Sequence, residues 1–273
     1  MNKSIKNRIL ALETTGMIAS VAYAEFKDGN PEPISWLEKK SEEQRNHLTE
    51  LMPMIKEILG YANTNLSDLD AIAVSAGPGS FTGMRIGVST ARALAQVKNI
   101  PIIKVPTLET FAFESEGIVC PIFDARLSQL YAGIYELAQD QIGNFMMDCY
   151  FEGGAYSPEE YFSKLTDIVK SSAQPQEDGT SQKRQNITFY GDGIDVFLKN
   201  ISGWIGEVSA LDEFNNIDLE FNKEKFQRAY LVAKWAYSFG VKENYSMLEP
   251  IYFRKAEAQR RLDEGLLKPQ DQI

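Results

Sequence analysis

The chain has 273 residues, of which 44% are hydrophobic and 24% charged, and its formal net charge at pH 7 is −10. This length accommodates two domains with separate cores. The negative net charge argues against a chain that binds nucleic acid by itself, because phosphate contacts need a basic surface. It leaves room for a subunit whose partner holds the nucleic acid.

Targeting and redox features are sparse. No stretch approaches the ~20 apolar residues of a membrane span, and the N-terminal apolar stretch is too short for a secretion signal. Cys120 and Cys149 are the two cysteines, and both lie in apolar runs. We therefore expect a cytosolic protein with two reduced thiols and no membrane association.

Metal-binding and nucleophilic residues are also scarce. His47 is the single histidine and the two cysteines are isolated, so no zinc-type ligand set can be assembled. A Ser-His-Asp grouping would need His47 as its base, and no nucleophile motif lies nearby. The sequence predicts neither a metal site nor a protease.

The first half begins with three predicted strands, over residues 8–13, 17–26 and 34–38, joined by short turns. A helix follows, with apolar residues at helical spacing from residue 48 to residue 62. Its apolar face is wider than a single stripe, so the helix is either deeply buried or shared with a partner. A strand over 71–74, a helix over 83–98 and a strand over 102–105 complete the half as a βαβ unit.

A glycine-rich loop joins the strand and the helix of this unit, with Gly77, Gly79 and Gly83 at its turning points. Its spacing matches neither the dinucleotide fingerprint nor a Walker loop. Two interpretations stay open: a cradle for an anion at a helix start, or a tight turn that brings the helix close to the sheet. The residues of the first interpretation, as a weak anion or nucleotide site, are Glu13, Thr14, Gly77, Gly79 and Ser80.

The helix after this loop carries a stripe of small residues, Gly83, Gly87, Ala91 and Ala95, at four-residue spacing. Each glycine costs a helix about 1 kcal/mol relative to alanine. The stripe therefore indicates a very close neighbour, which is either the chain's own sheet or another helix, for example from a partner.

The second half repeats the order of elements. Strands are predicted over 118–124, 130–137 and 144–151, a helix from residue 157, a polar surface loop over 171–186, a strand over 187–190 and a short helix to about residue 200. A long amphipathic helix is predicted over 221–239. The first strand of each half ends in a carboxylate, Glu13 or Asp124. For Asp124 and Arg126 we weigh an ion pair that holds the turn in a cleft against catalysis.

This duplicated order resembles that of the actin, sugar kinase and heat-shock ATPase (ASKHA) superfamily. The resemblance implies an α/β fold in which each of two domains has a five-stranded mixed sheet flanked by helices. We expect the domains over residues 1–110 and 111–254, and a charged tail over 255–273.

Within that superfamily the chain resembles the TsaB (YeaZ) family. Four segments carry the resemblance: ILALETTG at 9–16, RNHLTELMPMI at 45–55, SAGPGSFTGMRIGVSTARALA at 75–95, and DAR with LYAGIY at 124–135. It implies a non-catalytic subunit of the bacterial machinery that places threonylcarbamoyl on N6 of adenosine 37 of tRNAs. The implied partners are the metal-containing catalytic relative TsaD, the ATPase TsaE, and tRNA only indirectly. A homodimer through the same surface is also implied, and no cofactor.

Two departures from catalytic relatives agree with this role. Where TsaD has two histidines, this chain has Thr107 and Phe111, which cannot bind a metal as imidazole does. The run Glu13-Thr14-Thr15-Gly16 departs from the phosphate turn of the kinases. We expect the partner interface on the first helix and on the small-residue stripe, with the residues His47, Leu48, Leu51, Met52, Ile55, Gly83, Gly87 and Ala91. The alternative is a small-molecule kinase or ATPase using Glu13 or Asp124.

Overall fold

The structure of the chain, a computed structural model, describes residues 6–27, 30–42, 47–140, 145–172, 185–222 and 226–253. Two five-stranded mixed sheets, one from each half, are flanked by helices, which confirms the predicted duplicated α/β fold. Most of the predicted surface loop, residues 173–184, and the charged tail, residues 255–273, lie outside the described residues. No helix in the described part is long and apolar enough to cross a membrane.

The first sheet has the order β3-β2-β1-β4-β5. Its strands are β1 (Lys6–Glu13), β2 (Ser20–Lys27), β3 (Asn30–Lys40), β4 (Ala71–Gly77) and β5 (Ile102–Pro106). The first three strands pair antiparallel, because the turns between them are short. Strands β1, β4 and β5 run parallel, so their carboxyl ends meet at one edge of the sheet.

Two helices, α1 (His47–Tyr61) and α2 (Phe81–Lys98), cover one face of this sheet. Their buried residues join those of β1, β2 and β4 in one apolar core. Their inward-facing side chains recur at three- and four-residue intervals, so each helix buries one stripe and leaves the opposite stripe exposed.

The second sheet has the order β10-β9-β6-β7-β8, which repeats the arrangement of the first. Its strands are β6 (Ile118–Asp124), β7 (Leu130–Gln139), β8 (Phe145–Tyr156), β9 (Gln185–Tyr190) and β10 (Ile217–Asn222). Helices α3 (Pro158–Ser172), α4 (Gly193–Val196) and α5 (Leu198–Val208) accompany it, and a second apolar core joins α3 and α5 to the strands.

The predicted helix over 221–239 begins too early. Phe221 lies in β10, opposite Phe189 of β9, and the two rings stack with centroids 5.1 Å apart. The helix, α6 (Ala229–Phe239), begins only after Arg228, whose backbone is extended. The aromatic pair between neighbouring strands outweighs the helical spacing of the sequence, since cross-strand packing stabilises a strand.

Helix α6 packs on the first sheet, although residues 111–254 were predicted as the second domain. Its buried residues contact β1, β2, β4 and β5 on the face opposite α1 and α2. Beyond α6 the chain follows the same sheet: Glu243 pairs with Ile102 in an isolated bridge, and Leu248 is buried in the first core. The boundary near residue 110 stays a prediction, while residues 229–253 lie against the first half.

A buried ion pair fastens α6 to the edge of the first sheet. The Arg228 guanidinium contacts Oε2 of Glu38 through Nη2 at 2.8 Å and through Nε at 3.1 Å. The backbone N–H of Tyr230 donates to the other oxygen of Glu38 at 3.1 Å. The Glu38 side chain is only 5% exposed, so loss of Arg228 would leave a buried carboxylate without its cation.

We predict that Arg228→Met lowers the free energy of unfolding by about 3 kcal/mol, because it leaves the Glu38 carboxylate buried without its cation. The matched control is Lys39→Met, which breaks the more exposed pair between Lys39 and Glu57 and should leave stability nearly unchanged. Urea unfolding of both variants measures this. Equal losses in the two variants would contradict the assignment.

Candidate functional site

A cluster of polar side chains fills the edge of the first sheet where β1, β4 and β5 end. Oε1 of Glu13 accepts hydrogen bonds from the backbone N–H of Thr15 at 2.5 Å and from its hydroxyl at 2.6 Å. The hydroxyls of Ser75 and Thr107 lie 2.6 Å apart, and Thr107 Oγ1 lies 3.4 Å from Thr15 Oγ1. All four residues are buried, so the cluster is internal to the chain.

The Glu13 carboxyl is held in an environment that favours its neutral form. It is fully buried, and its Oε2 has no hydrogen-bond partner among the described residues. Burial raises the pKa of Glu13, and the hydrogen bonds from Ser75 and Thr15 oppose this shift without cancelling it.

The glycine-rich loop and α2 pack directly on the turn that follows β1. The Thr14 hydroxyl donates to the carbonyl of Gly83 at 2.7 Å. A Cβ at Gly83 would lie 1.9 Å from the Thr14 carbonyl oxygen, and one at Gly87 would lie 2.3 Å from Thr14 Oγ1. The two glycines therefore lie where α2 touches the turn after β1, Gly83 against its backbone and Gly87 against the Thr14 side chain.

Protein groups occupy the predicted anion site. Ser80 donates its N–H to the Thr15 carbonyl at 2.7 Å, and its hydroxyl caps α2 by accepting from Gly83 N–H at 3.2 Å. A Cβ at Gly79 would lie 2.5 Å from the Thr15 carbonyl oxygen. The anion or nucleotide site at Glu13, Thr14, Gly77, Gly79 and Ser80 stays a prediction, and its ligand would have to displace these contacts.

A segment near the C-terminus crosses the same loop. We call residues 248–253 the strap. The N–H of Ile251 donates to the Ala76 carbonyl at 2.7 Å. The carbonyl oxygen of Ile251 lies 2.7 Å from where a Cβ at Gly77 would be, and Gly77 has a φ of +122° that favours glycine.

The strap then contacts the start of α2 and reaches the second sheet. The rings of Tyr252 and Phe81 lie 4.9 Å apart, and Arg85 sits over Phe81 while donating to the Tyr252 hydroxyl at 3.2 Å. The Phe253 ring lies 3.7 Å from the position of a Cβ at Gly153 in β8. No element was predicted over these residues, and the aromatic side chains of Tyr252 and Phe253 were the signal for packing.

The predicted partner interface divides into exposed and buried positions. Leu48 is 77% exposed and Met52 is 49% exposed. Leu51 and Ile55 belong to the first core, and His47 is buried with its Nε2 2.9 Å from the Gly16 carbonyl oxygen.

The small-residue part of that interface stays a prediction, and it falls on residues that this chain itself covers. Gly83, Gly87 and Ala91 are buried within the chain, and the two glycines face Thr14 rather than a partner's helix. The physical reason is that the close neighbour indicated by the stripe is the turn after β1.

Asp124 and Arg126 form an ion pair at the end of β6. Arg126 Nη1 lies 3.0 Å from Asp124 Oδ2, and the Arg126 N–H donates to Oδ1 at 2.7 Å. Asp192 Oδ1 accepts from the Asp124 N–H at 3.2 Å, and burial raises the pKa of Asp192, with the Asp124 charge adding to the shift. These bonds hold a turn in which Arg126, Leu127 and Ser128 have positive φ.

Thr107 and Phe111, which the resemblance places at the catalytic relative's histidine positions, contribute to internal packing in this chain. The Thr107 hydroxyl joins the buried polar cluster, and the Phe111 ring lies 5.5 Å from that of Phe123 and 5.4 Å from that of Tyr190. Within the described ranges no group of three or more His, Cys, Asp or Glu side chains is arranged to hold a metal ion.

Several known proteins are similar to this chain in sequence. A family model described as TsaD, tRNA N6-adenosine threonylcarbamoyltransferase, matches residues 40–262. The tRNA threonylcarbamoyladenosine biosynthesis protein TsaB of Bacillus subtilis is 38% identical over 131 residues, which are 47% of this chain and 55% of the relative. TsaB of Escherichia coli is 36% identical over 140 residues, 50% of this chain and 58% of the relative. The chain thus spans a little over half the length of the curated relatives it matches.

Among solved structures, YeaZ from Pseudomonas aeruginosa superposes with a TM-score of 0.63 at 21% identity, covering 90% of this chain and 99% of that one. A second structure, described as an uncharacterized protein with similarity to peptidase YEAZ from Pseudomonas aeruginosa, has the same TM-score at 24% identity, covering 91% and 100%. These two similarities establish a shared fold.

We predict that Glu13→Gln removes a pH-dependent loss of stability. The pKa of Glu13 is raised in the folded chain, whereas in the unfolded chain it is about 4.3. As pH rises above that value the unfolded chain releases a proton that the folded chain keeps. The wild-type free energy of unfolding should then fall relative to the variant by up to about 1.4 kcal/mol per pH unit, until the folded pKa is reached.

Urea unfolding of wild type and Glu13→Gln between pH 4 and pH 8 measures this difference. Parallel stability curves across that range would show that Glu13 ionises in the folded chain as readily as in the unfolded chain.

We predict that Gly87→Ala destabilises the chain by about 2 kcal/mol or more, because the added Cβ overlaps Thr14. The control is Gly203→Ala in α5, where nothing lies within 4 Å of the added Cβ and helix propensity should raise stability by up to about 1 kcal/mol. Thermal and urea unfolding report both effects. A stabilised Gly87→Ala variant would contradict the close approach of α2 to the turn.

Proposed function

We propose that this chain, which belongs to the TsaB (YeaZ) family, is a non-catalytic subunit of the machinery that makes N6-threonylcarbamoyladenosine at position 37 of tRNAs. In this proposal it pairs with a TsaD-like catalytic subunit and supports its chemistry. A TsaE-like ATPase joins the pair in the cytoplasm. The tRNA is contacted only through the partners, and the same surface can bring two copies of the chain together.

The observation that carries the proposal is the apolar surface of α1 and α2. Leu48 and Met52 of α1 are exposed, and on α2 Val97 is 70% exposed. Half-buried Ile86 and Leu94 of α2 pack against the first core beside them. Exposed apolar side chains on neighbouring helices are a feature of many protein interfaces. A stable pair would bury on the order of 1,600 Å² in total.

The packed interior of the first half supports a role without catalysis by this chain. Thr14, Thr15 and the glycine-rich loop already form hydrogen bonds with one another at the sheet edge. The resemblance also implies that Thr107 and Phe111 stand where TsaD has histidines. A small-molecule kinase or ATPase remains the competing function. Isothermal titration of the chain with Mg-ATP separates the two, because our proposal expects no turnover and no tight binding by the isolated chain.

We predict that Leu48→Glu or Met52→Glu abolishes co-purification with the TsaD protein of the same genome while leaving the fold intact, because both side chains are exposed. Leu198→Glu in α5 is the control, since Leu198 is 56% exposed on the second half. Tandem-affinity co-purification and circular dichroism are the measurements. Wild-type recovery of TsaD with both α1 variants would rule out this face. The buried Leu51 and Gly87 are unsuitable test positions, since substituting them would disturb the core.

A further inference from the structure

A cavity of about 380 Å³ lies where the end of α6 meets the beginning of β1 and β5. Cavities of this size are typical of small-molecule sites. Asn7 lines the cavity, and Glu13 of the buried polar cluster lies six residues later, about 20 Å along β1. The cavity is on the face of the first sheet that α6 covers. It is therefore separate from the polar cluster and from the exposed sides of α1 and α2.

The inner surface of the cavity is apolar. Ile9 of β1, Ile103 of β5 and Ala236 of α6 line it, and all three belong to the core beneath α6. Pro31 of β3 and Phe145 at the start of β8 add further apolar surface. Since β8 belongs to the second sheet, both halves of the chain contribute to the cavity.

Backbone hydrogen bonds hold the segment after α6 against this cavity. The N–H of Ile102 donates to the Glu243 carbonyl at 2.9 Å, and the Glu243 N–H donates to the Ile102 carbonyl at 2.8 Å. A Cβ at Gly240 would lie 2.5 Å from Cγ2 of Ile103, so the segment passes directly over β5. Lys242 is thereby placed in the lining of the cavity, with its side chain exposed.

Two polar side chains of the lining are available to a ligand. Within the described part of the chain, neither the Asn7 amide nor the Lys242 ammonium takes part in a hydrogen bond or an ion pair. The hydroxyls of Tyr237 and Ser238 are engaged, since they donate to backbone carbonyls at 3.0 Å and 2.9 Å. An ammonium and an amide therefore remain as donors beside an apolar surface.

The charges around the cavity favour a ligand with one negative charge. Among the described residues no Asp or Glu lines the cavity, whereas Lys242 supplies a cation. The last turn of α6 lines it through Tyr237 and Ser238, and the carbonyl dipoles at the end of a helix disfavour negative charge. A carboxylate therefore suits the cavity better than a phosphate dianion.

We propose that this cavity binds a small organic acid, with its apolar part against Ile9 and Ile103 and its carboxylate at Lys242 and Asn7. A hydrogen bond from an ammonium to a carboxylate is about twice as strong as one between neutral groups. Burial of the apolar part adds to the affinity. The site lies outside the surface proposed for the partner subunit, so it adds a small-molecule ligand to the proposed function.

The test is methyl NMR of the full chain, with octanoate as the probe and octanol as its neutral counterpart. Isotope-labelled isoleucine methyl groups report from Ile9 and Ile103, and Ile201 in the core of the second half is the internal control. Titrations are recorded for wild type, Lys242→Met and Lys104→Met. Lys104 is the matched control, because it is exposed on β5 and its side chain points to the opposite face of the sheet from Ile103.

We expect octanoate to shift the Ile9 and Ile103 signals with a dissociation constant on the order of 1 mM. Lys242→Met should weaken octanoate binding about tenfold and octanol binding less than about twofold, because only the carboxylate uses the ammonium. Lys104→Met should change the binding of either probe by less than about twofold.

Phe145→Ala tests the apolar wall from the second half. It removes apolar surface and no charge, so it should weaken octanoate and octanol alike, by about threefold. Unchanged Ile201 signals and circular dichroism confirm that each variant is folded.

Three results would overturn the inference. The first is the absence of a saturable shift of the Ile9 and Ile103 signals with octanoate. The second is octanoate binding that Lys242→Met leaves unchanged. The third is tighter binding of octyl phosphate than of octanoate by wild type, which would contradict the preference for a single negative charge.

Discussion

The contact between Thr14 and the glycines of α2 is the constraint on which the rest of the first half depends. With Gly83 and Gly87 against the turn after β1, α2 begins at the sheet edge, and Ser80 can both cap the helix and bind Thr15. A single methyl group at either glycine would separate these parts. The loop, the helix start and the buried cluster around Glu13 are therefore consequences of one backbone approach.

This packing fills the end of the parallel sheet with protein groups, so the proposed binding surface lies on the outside of the first half. Polar groups that meet at the end of a parallel sheet commonly receive a ligand. In this chain Glu13, Ser75 and Thr107 are turned to one another and to Thr15. What the first half presents outward includes the exposed sides of two helices, with Leu48 and Met52 on α1 and Val97 on α2.

Sequence patterns predicted the repeated strands and helices well, because burial imposes a clear period on each element. They indicated a close neighbour for Gly87 and could not identify it, since that depends on where the turn after β1 lies. Leu48 and Leu51 look alike in the sequence, and only the rotation of α1 on the sheet separates the exposed residue from the buried one. Phe221 and the strap were missed because their packing partners lie far away along the chain.

The strap also limits how the two halves can move. It is tied to Ala76 and Phe81 in the first half, and it extends to Gly153 in the second. Closure of a cleft on a ligand requires its two sides to rotate about a hinge. The chain crosses twice between the two halves, and such a rotation would also strain or break the contact of the strap with the second half. A rotation of one half against the other would therefore have to move Phe253 away from β8 or pull the strap from Ala76 and Phe81.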